Sequence, residues 1–218
     1  KFFKHPKLVK LMEFPVLFLG ATPQKTPALY SFMNYADMGV GTWYPKGGMH
    51  KIVEGMVKLA EEKGVEILLN HEVVEVPAFN GSIQNIKTSS GEIFEADIIV
   101  GGADYHHLEN LLPEKKRNYS ENYWNKRTMA PSSILFYLGV NKRLKNLIHH
   151  NLFFDEDFKQ HAEEIYETSQ WPSKPLFYVS LTSKTDDTAA PEGCENVFIL
   201  IPTAPGLQGD NEEIREKY

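Results

Sequence analysis

Apolar residues along the chain change period several times, and each change predicts a different element. Up to about residue 40 the spacing is helical: Leu8, Leu11 and Met12 share one face, and Leu29, Phe32 and Met33 share another. Pro23 and Pro27 bracket a turn between these stretches. A second helical stripe, Ile52, Met56, Leu59 and Ala60, predicts an amphipathic helix over Met49 to Lys63. Gly47 and Gly48 open it, and Gly64 stops it. The period then falls to two. Short strands are expected at Val65 to Leu69, Glu72 to Val76, Ile83 to Thr88 and Glu92 to Glu95, with turns at Asn80-Gly81 and Ser90-Gly91. Ala96-Asp97-Ile98-Ile99-Val100 reads as an apolar strand, Asp97 apart, and ends in Gly101-Gly102, the pattern of a strand buried on both faces. Asp104 is a good N-cap for a helix running to Leu112, where Pro113 ends it.

The second half reads as longer strands, rich in aromatic and aliphatic residues. These are Ser132 to Val140, Asn151 to Phe154, Leu176 to Thr182 and Val197 to Pro202, with helices over Asp157 to Tyr166 and from Asn211 onward. The fold class expected is α/β in the middle passing to α+β in the second half. Helix, glycine stop and strand at Met49 to Leu69 suggest a βαβ-like unit of a nucleotide-binding layer.

Composition narrows the function classes. The chain has 218 residues, 42% of them hydrophobic and 24% charged, as in ordinary globular proteins. A net charge of −6 disfavours a nucleic-acid partner. No run approaches the length of a membrane span; Phe14 to Leu19 is short and broken by Pro15. The single cysteine, Cys194, rules out an internal disulfide framework, points to a reducing compartment, and has no matched histidine to make it a nucleophile. The sequence begins at Lys1 and ends within an expected helix, which reads as a piece of a longer protein.

Candidate chemistry is sparse. Eight histidines include the adjacent pairs His106-His107 and His149-His150. Neighbours in a regular element point in different directions, so neither pair is expected to clasp a metal, and a surface or hydrogen-bonding role is assigned. Asp186, Asp187 and Glu192 lie in a proline-containing loop with no visible partner and read as solvated. Asp155 to Asp157 reads as an N-terminal helix cap. No G-x-G-x-x-G fingerprint is present: after Gly39-Val40-Gly41, Tyr44 stands where the third glycine belongs.

The most informative segment is Thr42-Trp43-Tyr44-Pro45-Lys46-Gly47-Gly48-Met49. Adjacent glycines at a helix start are expected to leave amide donors free and to let the backbone approach a ligand. With Gly64-Val65-Glu66-Ile67, Asn70-His71-Glu72-Val73, Ala96 to Val100, Met129-Ala130-Pro131-Ser132-Ser133, Phe136 to Gly139, His149-His150-Asn151 and Ala190 to Gly193, it resembles the bacterial phytoene desaturase family in the right order. Relatives of that family are carotenoid desaturases, carotenoid isomerases and retinol saturases.

The resemblance implies the middle portion of an FAD/NAD(P)-binding-type flavoprotein, with a mixed-sheet substrate domain and helices. Residues 1–50 would be the helical part of the substrate domain, 51–112 a strand-helix excursion of the FAD-binding domain, and 113–218 the substrate-domain sheet. FAD would serve the full-length protein, and none is expected on this chain alone. The implied cofactor contacts are Gly47, Gly48, Val73, Gly101, Gly102 and Ala103. Their plain readings are helix-start glycines, a core valine and a tight strand-to-helix turn. A long apolar carotenoid precursor would run past Trp43, Tyr44, Phe136 and Tyr178, which otherwise read as core packing. No catalytic acid or base is assigned. A cytoplasmic location, or one peripheral to the inner membrane, is implied, with a membrane surface open as a partner. The isolated chain is expected to self-associate. Alternatives left open are an isomerase or retinol-saturase-like flavoprotein, and a non-catalytic lipid-binding module.

Overall fold

The computed structural model describes residues 3–19, 21–79 and 82–218, and the side chains of these except at 17–19 and 79. It divides into two compact units, Lys1–Met56 with Met129–Tyr218, and Val57–Thr128. The expected Asn80-Gly81 turn lies outside the described residues.

In chain order, helix α1 (Pro6–Glu13) begins with proline in its first turn, where a missing N–H costs nothing. Short 3₁₀ turns follow, and then α2 (Phe32–Tyr35). Helix α3 (His50–Glu62) carries the stripe read from the sequence. Its end is the glycine stop expected. The Val65 amide donates to Ala60 O at 3.0 Å and the Gly64 amide to Glu61 O at 2.9 Å, with Gly64 at φ 80°. That pair of bonds satisfies two carbonyls the helix would otherwise orphan.

The second unit holds β1 (Val73–Glu75), β2 (Ala78–Phe79), β3 (Ser82–Ile83), β4 (Asn85–Thr88) and β5 (Ile93–Glu95). Strands β1-β4-β5 form one antiparallel sheet, and β2 pairs with β3. The Ser90-Gly91 turn forms as expected, the Gly91 amide donating to Thr88 O. Asp104 caps α4 (Tyr105–Asn110) by accepting from the His107 amide at 3.1 Å. Helix α5 (Glu121–Trp124) follows; buried Glu109 accepts from the Asn118 amide and Trp124 Nε1 and holds this end together. Two expected strands do not form. Neither Val65 to Leu69 nor Ala96 to Val100 forms a strand ladder among the described residues, and Ile98 and Val100 are exposed rather than buried on both faces. The Val65 and Ala96 amides donate to Ala60 O and Gln84 O, but neither run finds the neighbouring strand that a ladder needs. The βαβ-like unit is therefore not completed within this chain.

The first unit is built on β6 (Ser132–Val140), β7 (His150–Phe153), β8 (Phe177–Ser180) and β9 (Glu195–Thr203), in the antiparallel order β6-β9-β8-β7. Helix α6 (Phe158–Tyr166), capped by Asp157, lies between β7 and β8 in sequence, and α7 (Glu212–Lys217) is capped by Asn211. Helices and antiparallel sheets thus alternate, and every strand pairing described is antiparallel.

Partners directly opposite in an antiparallel ladder share a face. Ile134, Phe136, Leu138 and Val140 of β6 stand opposite Ile201, Ile199, Val197 and Glu195. This face carries the core of Val179, Leu181 and Val197, closed by Leu144 and Leu147 of the following loop. Phe158 and Ala162 of α6 pack on Leu176, with Phe154 and Phe14 against them. His161 is buried: its Nδ1 accepts from the Leu176 amide and its Nε2 donates to Pro202 O, both at 3.1 Å. Glu195 is also buried and takes Ser183 Oγ at 2.5 Å and Lys184 Nζ at 2.6 Å, with Arg143 at 3.5 Å.

Candidate functional site

The opposite face of the same sheet carries Leu135 and Tyr137 of β6, Phe198 and Leu200 of β9, Tyr178 of β8 and His150 of β7. Ring follows ring across the four strands. Tyr137 and Phe198 centroids lie 5.1 Å apart, Phe198 and Tyr178 6.3 Å, Tyr178 and His150 6.0 Å. His150 stacks on His149 at 4.2 Å, and Tyr44 meets His149 edge-on at 5.1 Å. These spacings fall in the range where aromatic pairs attract beyond simple area burial. Tyr137 is 76% exposed and His150 is exposed at the two ends, while Phe198 and Tyr178 between them are half-buried, so the row is a partly open surface. Beside it, β6 forms the sheet edge, and its residues Ser132 to Leu138 wall a groove of about 570 Å³, closed by Trp171, Leu207 and the Asp210–Arg215 pair. That volume is in the range of small-molecule sites.

Hydrogen bonds fix the far end of the row. His150 Nδ1 lies 2.6 Å from the Tyr178 hydroxyl, and His149 Nδ1 lies 2.6 Å from Thr185 Oγ1. Burial, and then the neighbouring His150 charge, push the His149 pKa below the ordinary imidazole value. The two histidines were expected to point apart. They stack instead because His149 precedes β7 and is free of strand alternation.

The Trp43–Gly48 segment is fastened to this unit. Asp186 is buried, not solvated as the loop composition suggested. Its Oδ2 accepts from the Gly47 amide at 2.6 Å, and its Oδ1 accepts from Thr188 Oγ1 at 2.7 Å and the Thr188 amide at 3.0 Å. Those bonds, Thr188 Oγ1 first, hold its carboxyl below the usual carboxylate range. The Gly48 amide donates to Pro45 O. The expectation of free amide donors at Gly47 and Gly48 is thus corrected: both are engaged. The glycines are needed for backbone shape, with φ of 89° and 101°.

The structure brings Tyr44 and Tyr178 together through the histidine pair. It does not bring Phe136 there, which lies opposite Ile199 on the core face, and Trp43 is 86% exposed. Val73 pairs with Thr88 in the second unit. Gly101 is a packing glycine, since a Cβ there would meet Leu108 Cδ1 at 2.6 Å, whereas Gly102 faces open space. A flavin fits these residues in part. Gly102 and Ala103 have no backbone partner among the described residues. The engaged amides of Gly47 and Gly48 do not suit an anion, and no glycine-rich pyrophosphate cradle is present. Among the described residues no three His, Cys, Asp or Glu side chains gather as metal ligands. No described helix is long and apolar enough to cross a membrane.

Sequence reading missed Phe198, chose Phe136 rather than Tyr137 for the substrate-facing side, and took Asp186 for a solvated loop carboxylate. Strand periodicity says that Phe136 and Tyr137 face opposite ways; only the pairing with β9 says which faces the core.

The family comes from the sequence match: the chain is a member of the flavin containing amine oxidoreductase family, which it matches over residues 1–216. Within that class it is similar to a carotenoid 3,4-desaturase of Haloarcula japonica, with 41% identity covering 100% of this chain and 44% of that protein. A 1-hydroxycarotenoid 3,4-desaturase of a Flavobacterium species is 33% identical over 98% of the chain and 43% of that protein. A phytoene desaturase of Neurospora crassa is 32% identical over 98% and 38% respectively. The resemblance read from the sequence is borne out. The chain spans less than half the length of each of these relatives.

Proposed function

We propose that the chain is the substrate-handling portion of an FAD-dependent carotenoid desaturase, which dehydrogenates a long apolar polyene. The observation that carries this reading is the similarity to carotenoid and phytoene desaturases along essentially the whole chain. The aromatic row supports it: a polyene offers no hydrogen bonds, and a face of rings binds it without leaving polar groups unpaired. FAD, when bound, supplies the oxidation, accepting a hydride equivalent from the substrate. This chain's residues bind, orient and keep water away. Tyr178 and Tyr44 would contact the polyene, with Trp43 at the entry and Phe136 backing the sheet from its other face. Gly102 and Ala103 would touch the cofactor through backbone atoms, with Gly101 shaping their turn. Val73 would contribute its backbone, and Gly47 and Gly48 would pass close to the cofactor by their lack of side chains. Because the substrate class dissolves in lipid, a position peripheral to a membrane is part of the reading.

The test is pigment analysis of phytoene-producing cells expressing the full-length protein. Accumulation of more desaturated carotenoids is expected, with a flavin absorbance band in the purified enzyme. A changed isomer pattern without new double bonds would transfer the chain to the isomerases. Absence of flavin would leave a lipid-binding module. For the chain alone we propose self-association through the long unpaired edge of β6, which bears no charge or proline to block pairing. Sedimentation should show concentration-dependent growth; a clean monomer at high concentration would refute it.

A further inference from the structure

The sheet face that carries Leu135, Tyr137, Phe198, Leu200 and Tyr178 bears one imidazole, His150. No carboxylate or lysine of the four strands lies on it. Glu195 belongs to the other face and is committed to Lys184 and Ser183. His150 is held by one ring nitrogen alone. His150 Nδ1 shares a hydrogen bond with the Tyr178 hydroxyl at 2.6 Å and Nε2 makes no bond among the described residues; in the tautomer whose Nδ1–H donates to the Tyr178 oxygen, Nε2 carries the lone pair. His149 is fixed the same way. Thr185 Oγ1 donates to Thr182 O, so it accepts from His149 Nδ1–H. The result is two stacked imidazoles, neither with a bond to Nε2 among the described residues, at the end of an apolar row.

We propose that His150, steadied by His149 and Tyr178, is the proton acceptor of the dehydrogenation. The proposal rests on the desaturase reading above. Making one double bond removes two hydrogens from adjacent carbons. One C–H bond breaks with its electron pair, the hydrogen leaving as hydride to the flavin oxidant. The adjacent C–H bond breaks with its proton going to His150 Nε2, and its electrons close the C=C bond. An imidazole is a weak base for an unactivated C–H bond. Once hydride has left, the neighbouring allylic cation is acidic enough for it. The stacked partner matters because two imidazolium rings at 4.2 Å repel, so the pair takes one proton at a time and gives it up readily. Among the described residues, the titratable side chains in contact with the pair are Tyr178 from β8 and Tyr44 from the 42–49 segment. The lowered pKa of His149 agrees with this, burial acting first and His150 second.

The experiment uses the full-length flavoenzyme with a carotenoid precursor in liposomes, following anaerobic flavin reduction against pH. In the wild type the rate should fall on the acid side as the pair protonates. His150→Gln should slow reduction about a hundredfold and remove the acid limb, with flavin content unchanged. Added imidazole should partly restore His150→Ala, which loss of a merely structural side chain would not allow. An unchanged rate and acid limb in His150→Gln overturns the proposal, as does failure of imidazole to rescue. Histidine NMR of the wild type gives an independent arm: one proton should enter the 149–150 pair across the neutral range, and two separate titrations near the ordinary value overturn the coupling. A wild-type enzyme whose flavin no carotenoid reduces overturns the desaturase reading itself, and the base assignment with it.

Discussion

Residues 132–203 and residues 57–128 both carry apolar runs of strand length, but only the first region closes them into a sheet with a core. Strands β6 and β9 pair along nine residues each, and β8 and β7 continue the ladder. Every neighbour needed is supplied within the same stretch. In the second region the three-stranded sheet is short, and the two most apolar runs, 65–69 and 96–100, form no ladder among the described residues. Apolar patterning says how a strand would bury its side chains. It does not say whether the chain contains the neighbour that would satisfy the strand's backbone.

The largest contrast this predicts is in the cost of truncating an apolar side chain. Leu181 is fully buried, and Leu181→Ala should destabilise the first unit by about 3 kcal/mol through lost transfer energy and a cavity. Ile98 is 81% exposed, and Ile98→Ala should change stability by less than about 0.5 kcal/mol. Urea unfolding of both variants measures this directly. Equal costs would mean that 96–100 is packed after all, and the contrast between the regions would break.

A second, smaller effect separates the regions by pH. Burial alone would raise the Glu195 pKa, but bonds from Lys184, Ser183 and the Leu144 amide outweigh it and hold it at about 2, against an ordinary 4.5. Because the folded-state value is the lower one, its stabilising contribution is complete above about pH 4.5 and is lost as pH falls toward about 2. Glu195→Gln should cost about 2 kcal/mol at neutral pH, by weakening charge-assisted bonds, and should flatten that acid limb. His161 adds a limb at higher pH. Burial lowers its pKa, so the first unit should begin to weaken as pH falls below the ordinary imidazole value of 6.5. Unfolding midpoints from pH 7 to pH 2 in both proteins test the assignment; parallel curves would contradict it.

How much of this was legible in the sequence follows the same division. Ser132 to Val140 was read to its exact bounds, and β7, β8 and β9 to within two residues, because alternation there matches pairing inside the chain. Caps at Asp104 and Asp157 and the stop at Gly64 were legible because capping is local chemistry. Of the site, Tyr44 and Tyr178 were named, but their connection through His149 and His150 was not. Nothing local reveals a stack between neighbours when one of them lies just outside its strand. Asp186 was misread because a loop carboxylate acquires its role only from Gly47, far away in sequence.

The Gly64 stop sharpens the comparison from the other side, since it is well formed although the expected strand after it is not. A Cβ at Gly64 would meet open space, so only the backbone at φ 80° opposes a side chain. Gly64→Ala should therefore cost about 1 kcal/mol. A neutral result by thermal unfolding would mean that the helix end frays without penalty.

The smallest expected effects lie in the segment that first drew notice, and they divide two adjacent aromatic residues. Trp43 is 86% exposed, so Trp43→Ala should leave stability within about 0.5 kcal/mol. Tyr44 is half-buried, its ring edge against His149, and Tyr44→Ala should cost somewhat more, up to about 1 kcal/mol. The sharper readout is electrostatic. Burial is the first cause of the low His149 pKa, and Tyr44 is part of what covers that ring. Removing it should let the His149 pKa rise toward the ordinary value, while Trp43→Ala leaves it in place. NMR titration of the two variants distinguishes them. If both variants leave His149 unmoved, Tyr44 does not shield the pair, and the 42–49 segment is held to the sheet by Asp186 alone.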